Sequence, residues 1–325
     1  MPLSLSSGVL CALLVSTALA FQSPVSIEQR PTRPSAPQLD NVPRPDIRID
    51  AALVQIPAHI TTALGVSVTT LDRSHFHLYE DGVEQTITQF GKEDAPLSIG
   101  LLFDSSGSMQ KKMRRSSEAA AAFFRTANFD DEFFLVEFND RAKLSIPFTA
   151  NSQEIYQHIA HIKPYGRTSL LDAIHVAMQQ MKHAQHLRKA IVILSDGGDN
   201  RSRYTGAEIK SAMLESDVQL YAMGIFDPQG DPRKLPPEEV NGPRLLDELS
   251  QQTGGRHYPV DNLDELASVS ARIGEELRSQ YLLGYTSTNP ARDGKYRRVT
   301  LTVDPPSGSQ ELKAYYRQGY TSPTN

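Results

Sequence analysis

From Leu97 to about residue 280 the chain alternates short apolar runs with longer helical patterns, and this alternation restricts the fold more than any other feature. Strands read at 98–104, 132–138, 142–147, 189–195, 217–225 and 256–260. Helical patterns occupy 109–127, 151–162, 169–185, 206–215, 243–252 and 262–280. The helix at 109 carries "SSEAAAAFF", rich in alanine and apolar on one side, and Gly254-Gly255 stop the helix before the last strand. Strands that alternate with helices pair in parallel, with the helices covering the sheet. The expected fold class is therefore α/β: a doubly wound, mostly parallel sheet with helices on both faces. The tight pair at 132–147 is expected as an antiparallel hairpin at one edge.

The flanks have a different texture. Residues 47–94 contain "IRIDAALVQIPAHI", "GVSVTT" and "HFHLYEDGVEQTITQF", in which Asp81-Gly82 supplies the turn chemistry of a tight hairpin. Residues 281–320 are β-like again: "YLLGYTST", "GKYRRVTLTVDP" and "ELKAYYRQGY". Two β segments bracketing the unit at 95–280 read either as halves of one small β-sandwich or as separate appendages. Residues 21–46, with "QRPTRPSAPQLDNVPRP", are a proline-rich, disordered linker. Before them "VLCALLVSTALA" is an uncharged apolar run closing on Ala18-Leu19-Ala20. Residues 1–20 thus read as a signal peptide, and the expected location is periplasmic or secreted. Cleavage there removes Cys11, the only cysteine, and with it any disulfide or thiolate metal site. No transmembrane segment is expected in the mature chain.

Function in a doubly wound sheet gathers at the carboxyl ends of its strands. Three loops stand out there: Asp104-Ser105-Ser106-Gly107-Ser108, "PYGRTSLLDA" at 164–173, and "LSDGGDN" at 194–200. They supply two carboxylates, Asp104 and Asp196, and the hydroxyls of Ser106, Ser108 and Thr168. A hard cation, Mg²⁺ (or Mn²⁺ or Ca²⁺), takes such oxygen ligands. Few carboxylates leave its charge undercompensated, so it attracts a carboxylate from outside. Taken singly, Ser108 reads as a helix cap and Asp196 as a turn acid; together with Thr168 they point to a metal site. Asp199 reads as a solvated turn residue, and Asp172 as a charge at the positive end of its helix.

Other classes find less support. A net charge of -5 without a basic block argues against nucleic acid, and the absence of Trp removes a stacking platform. No Gly-x-Ser-x-Gly elbow is present, and the loop serines have no evident histidine partner, so no enzyme is expected. The pairs His75/His77, His158/His161 and His183/His186 lack a His-Glu-x-x-His context and read as packing residues. The charged, proline-rich stretch 226–244 is either a surface loop or part of the ligand face.

Asp104-x-Ser106-x-Ser108, Thr168 in a Gly-x-Thr turn and Asp196 in Ser-Asp-Gly resemble the von Willebrand factor A domain, over about 95–280. The five positions match that family's metal-ion-dependent adhesion site in order and context. The resemblance implies that Ser106, Ser108 and Thr168 ligate directly, while Asp104 and Asp196 hold coordinated waters and the serine hydroxyls. It also implies a protein partner whose acidic side chain completes the coordination. The flanks "FHLYEDGVEQTITQF" and "YLLGYTSTNPARDGKYRRVTLTV" are similar to an exported, acidobacterial von Willebrand A-related family, which widens the resemblance to about 47–320. "HITTALGVSVTTLD" lacks that family's Asp-x-x-Gly turn, so an irregular first hairpin is expected. The expected function is metal-dependent, adhesion-type protein binding. The alternatives are a scaffold of an envelope assembly with a vestigial metal site, and a metal-dependent hydrolase, which lacks a general base.

Overall fold

The computed structural model describes residues 53–92, 95–225, 237–306 and 311–324. The expected signal peptide and proline-rich linker lie outside these residues, as does 226–236 of the long charged stretch. In chain order the first flank forms β1 (Leu53–Thr62), β2 (Phe76–Glu80), β3 (Val83–Gln85) and β4 (Ile87–Lys92). The α/β unit follows with β5 (Leu97–Asp104), α1 (Met113–Phe124), β6 (Glu132–Phe138), β7 (Ala142–Thr149), α2 (Ser152–Ile159) and α3 (Leu170–Met181). It continues with β8 (Arg188–Ser195), α4 (Gly206–Glu215), β9 (Val218–Ile225), α5 (Pro237–Thr253), β10 (His257–Val260) and α6 (Leu266–Arg278). The second flank supplies β11 (Tyr281–Thr286), β12 (Tyr296–Val303), β13 (Leu312–Tyr316) and β14 (Gly319–Thr321).

β5 is buried along its whole length because helices cover both faces of its sheet. The strand order is β10-β9-β8-β5-β6-β7, parallel throughout except for the β6–β7 edge pair. Side chains alternate across β5. Ile99, Leu101 and Phe103 share a core with Ala119 and Phe123 of α1, Ile155 of α2 and Ile273 of α6. Leu102 points the other way, into a core with Leu170 and Ile174 of α3, Ile209 of α4 and Leu246 of α5. The expected doubly wound sheet is present.

The flanks build two further four-stranded antiparallel sheets, β13-β1-β11-β4 and β14-β12-β2-β3, and each takes two strands from either flank. Their inner faces share one core. Ile56, Ile60, Leu283 and Tyr285 come from the first sheet; Phe76, Leu78, Val299 and Leu301 come from the second. Asp81 and Gly82 both hold positive φ, 48° and 85°, so a two-residue turn of the primed type joins β2 to β3. A buried acid fastens the two flanks: Glu80 accepts the hydroxyls of Tyr285 (2.8 Å), Tyr320 (2.9 Å) and Ser287 (2.5 Å). After β1 the chain reverses at Thr62–Val66 with Gly65 at φ 79°, leaving only an isolated bridge from Thr61 to Ser67.

Two helix starts differ from expectation. The helix expected from 109 begins at Met113, because 107–109 form a 3-10 turn and the following residues link it to α1. α5 begins at Pro237, with Pro243 inside the helix rather than at its start. A proline is favoured in a first helical turn, so its position alone misplaces the boundary. Residues 237–244 of the charged stretch are consequently helix.

Candidate metal centre

β5 and β8 run side by side, so their carboxyl ends bring Asp104 and the Ser195-Asp196 pair to the same edge of the sheet. Asp104 is fully buried and has two donors: the Ser106 N–H reaches Oδ1 at 2.9 Å, and the Ser195 hydroxyl reaches Oδ2 at 2.6 Å. Burial, and then the nearby Asp196 carboxylate, push its carboxyl up to about 7. The first bond is an Asx-type turn that aims the next residues out of the sheet. It leaves the Ser106 and Ser108 hydroxyls 3.0 Å apart.

The second loop is tied to the first by backbone bonds. Tyr165 N–H donates to the Ser105 carbonyl at 2.9 Å, and Gly107 N–H donates to the Gly166 carbonyl at 3.1 Å. Gly166 has φ 77°, which favours glycine, and a Cβ there would also press on the Asp140 carboxylate, 2.6 Å from its Oδ2. The third loop then grips the second. Thr168 N–H donates to Asn200 Oδ1 at 3.0 Å, and the N–H groups of Asn200 and Arg201 return to the Thr168 carbonyl at 3.1 and 3.0 Å. Asp104, Ser106, Ser108, Thr168 and Asp196 thus stand in three loops that brace one another.

The donor set fits a hard cation. The Ser106 N–H and the Ser195 hydroxyl position Asp104, Lys112 stands against Asp196, and the Thr168 hydroxyl stays uncommitted. The Ser106 hydroxyl faces both Ser108 and the Asp104 carboxylate, and the Thr168 hydroxyl has no hydrogen-bond partner among the described residues. Groups of three or more His, Cys, Asp or Glu suited to a metal are absent among the described residues. Any cation here would rest on neutral oxygens backed by two carboxylates, a donor set of hard ligands. One protein cation already stands nearby: Lys112 Nζ lies 3.3 Å from Asp196 Oδ2 and donates to the Ile225 carbonyl at 2.8 Å.

Several residues around the centre have roles other than those expected. Ser108 is not a helix cap, since the N-cap position of α1 is Lys112 and carries no side-chain cap bond. Asp199 is not a solvated turn acid. It is half-buried, accepts the Leu170 N–H at 3.0 Å and the Ser202 hydroxyl at 2.6 Å, and its carboxyl is raised by that burial. Asp172 is buried and accepts from Arg203 N–H (2.8 Å) and Tyr204 N–H (3.3 Å), fixing the third loop to α3. Ser195 and Lys112 were missed by the sequence reading; the strand pairing of β5 with β8 is the signal that places Ser195 beside Asp104. His77 contacts Glu84 and Asp304 on the surface, and His158 bonds to Glu137.

Residues 99–198 match the family model of the von Willebrand factor type A domain. Over those residues the α/β unit is similar to the von Willebrand factor type A domain. The match ends within the third loop and leaves both flanks outside it. A curated protein of Borreliella burgdorferi, described only as uncharacterized, is 25% identical over 168 residues, covering 48% of this chain. The chain spans about half of that relative, 49% of its length. Among solved structures, an aerotolerance-related membrane protein from Bacteroides fragilis is 19% identical, with a TM-score of 0.47 over 56% of this chain and 98% of that one. A von Willebrand factor type A protein from Catenulispora acidiphila is 14% identical, with a TM-score of 0.47 over 73% of this chain and 74% of that one. Proximal thread matrix protein 1 of the mussel byssus, in a form with a zinc-occupied adhesion-site motif, is 16% identical. Its TM-score is 0.46, over 61% of this chain and 49% of its own. No described helix of the chain is long and apolar enough to cross a membrane.

Proposed function

We propose that this chain is an exported protein-binding module in which a divalent cation, held by Ser106, Ser108 and Thr168, captures an acidic side chain of a partner. One observation carries the reading. Three interlocked loops fix the Asp104 carboxylate, set Asp196 against Lys112, and bring the hydroxyls of Ser106, Ser108 and Thr168 to the end of the sheet. Asp104 and Asp196 orient the hydroxyls and supply the charge that draws the cation in. The cation, when bound, supplies a Lewis-acidic coordination position for the incoming carboxylate. Neither Ser106, Ser108 nor Ser195 hydrogen-bonds to a histidine, so the residues offer no activated nucleophile.

Calorimetric titration with Mg²⁺ tests the site. Asp104→Ala and Thr168→Ala are expected to abolish measurable binding while the circular dichroism of the sheet and helices stays that of the unsubstituted chain. Unchanged Mg²⁺ affinity in both variants would remove the site. A scaffold with a vestigial metal site is the second reading, and Lys112 favours it, because its ammonium already neutralises Asp196. Partner binding that survives EDTA would decide for the scaffold.

A further inference from the structure

Beside the metal centre lies an open groove of about 940 Å³, walled by the end of β6, the start of β7, α2 and the segment before Thr168. It adjoins the centre. Ser105, between Asp104 and Ser106, lines it, and so does Tyr165, bound to the Ser105 carbonyl at 2.9 Å. The rim is cationic. Arg141, Lys143, His161 and Lys163 are exposed along it, and Arg141, Lys143 and Lys163 have no carboxylate partner among the described residues. The nearby acids are already engaged: Glu137 bonds to His158, and Asp140 accepts the Arg167 N–H at 2.9 Å. A chain with net charge -5 has therefore left three unpaired cations around a concavity that opens beside its metal loops. Like charges placed there repel one another, and a concave wall focuses their field on whatever enters.

We propose that the groove binds a short glutamate- or aspartate-rich segment of a protein partner, continuous with the residue whose carboxylate reaches the cation. The proposal rests on the metal reading for that anchoring carboxylate; the groove supplies the remaining contacts through Arg141, Lys143 and Lys163. A short acidic stretch suits this surface better than an extended polyanion, which would run on over a protein of net negative charge. The exposed Tyr165 lines the groove next to the Ser105 loop and offers the segment's backbone a flat apolar surface.

Fluorescence anisotropy on the full chain tests this, with a short fluorescein-labelled peptide of alternating Glu and Gly as probe, in Mg²⁺ and in EDTA. The K143E/K163E variant changes only exposed side chains, and its melting curve serves as the folding control. It is expected to bind the peptide about tenfold more weakly in both conditions, since reversing two exposed charges turns two weak attractions into repulsions. Thr168→Ala is expected to remove only the Mg²⁺-dependent share. Mg²⁺-dependent binding that K143E/K163E leaves unchanged overturns the groove and spares the metal reading. Binding that ignores EDTA yet is lost in K143E/K163E supports the groove and defeats the metal reading. Failure of the peptide to bind while heparin binds the same rim overturns the proposal in favour of a polysaccharide.

Discussion

Gly242 offers a sharp test of how Asp196 is held. It lies on α5, and a Cβ added there would sit 2.5 Å from the carbonyl carbon of Gly197 and 2.6 Å from its oxygen. Both neighbours are backbone, so no flexible side chain can yield. Gly242→Ala must push the helix and the Asp196-Gly197 turn apart by about 1 Å to restore ordinary contact. Two effects on stability oppose each other. Alanine favours a helix over glycine by about 1 kcal/mol, whereas overpacking costs about 1–3 kcal/mol. The melting temperature is therefore expected to fall modestly. Metal affinity has no such compensation, because the displaced turn carries Asp196; a loss of about 10- to 100-fold is expected, as for other outer supports of metal sites. Differential scanning fluorimetry and Mg²⁺ calorimetry measure the two quantities in one preparation. Gly206→Ala is the control, since a Cβ there meets only Leu245 Cδ1 at an ordinary 3.6 Å. A Gly242→Ala protein with raised melting temperature and unchanged Mg²⁺ affinity would refute the idea that α5 positions the turn.

Two further outcomes concern the flanks. Glu80→Ala strands three hydroxyl donors and is expected to cost about 3 kcal/mol in urea unfolding, with Glu80→Gln intermediate; a loss below about 1 kcal/mol would mean the clamp does not hold the flanks together. His59 has no exposed surface, and its imidazole is lowered to about 4, first by burial and then by the charges of Arg256 and Arg272. The unfolded chain then takes up a proton near pH 6.5 that the folded chain refuses until about pH 4. Its contribution is fully present above pH 6.5 and is lost as pH falls through that window, by up to about 3 kcal/mol. Glu276, 3.7 Å away and raised by burial, titrates in the opposite sense, so the measurement compares the unfolding midpoints of His59→Gln and the unsubstituted chain across pH. Parallel curves would discard the assignment.

The central sheet was legible because its strands are buried on both faces and read as unbroken apolar runs; "AIVIL" and "IGLLF" leave no other use for themselves. α4 was located to the residue, and its start carries a full capping box, Thr205 with Glu208. α1 was misjudged at its start because Ser106–Lys112 is shaped by the bond from Gly107 to Gly166, a contact between distant loops that no local pattern encodes. The same limit applies at the metal centre. The five residues proposed for it were chosen by type, order and position at strand ends. The bond from Ser195 to Asp104, the Lys112 ammonium at Asp196 and the capture of Leu170 N–H by Asp199 arise only once β8 lies against β5 and the loops close. The shared construction of the two outer sheets was one of two readings, since strand texture does not name a strand's partner.

The register of β4 with β11 places Lys92 opposite Tyr281. All of the α/β unit therefore hangs between two residues that face each other across a single antiparallel pair. Remove it, and a two-residue Asn-Gly turn would suffice to close that pair as an ordinary hairpin. Neither outer sheet would give up a ladder bond. The sandwich thus acts as a socket, and contacts such as His59 with Glu276 and Arg317 with Asp217 fit its seat to this unit.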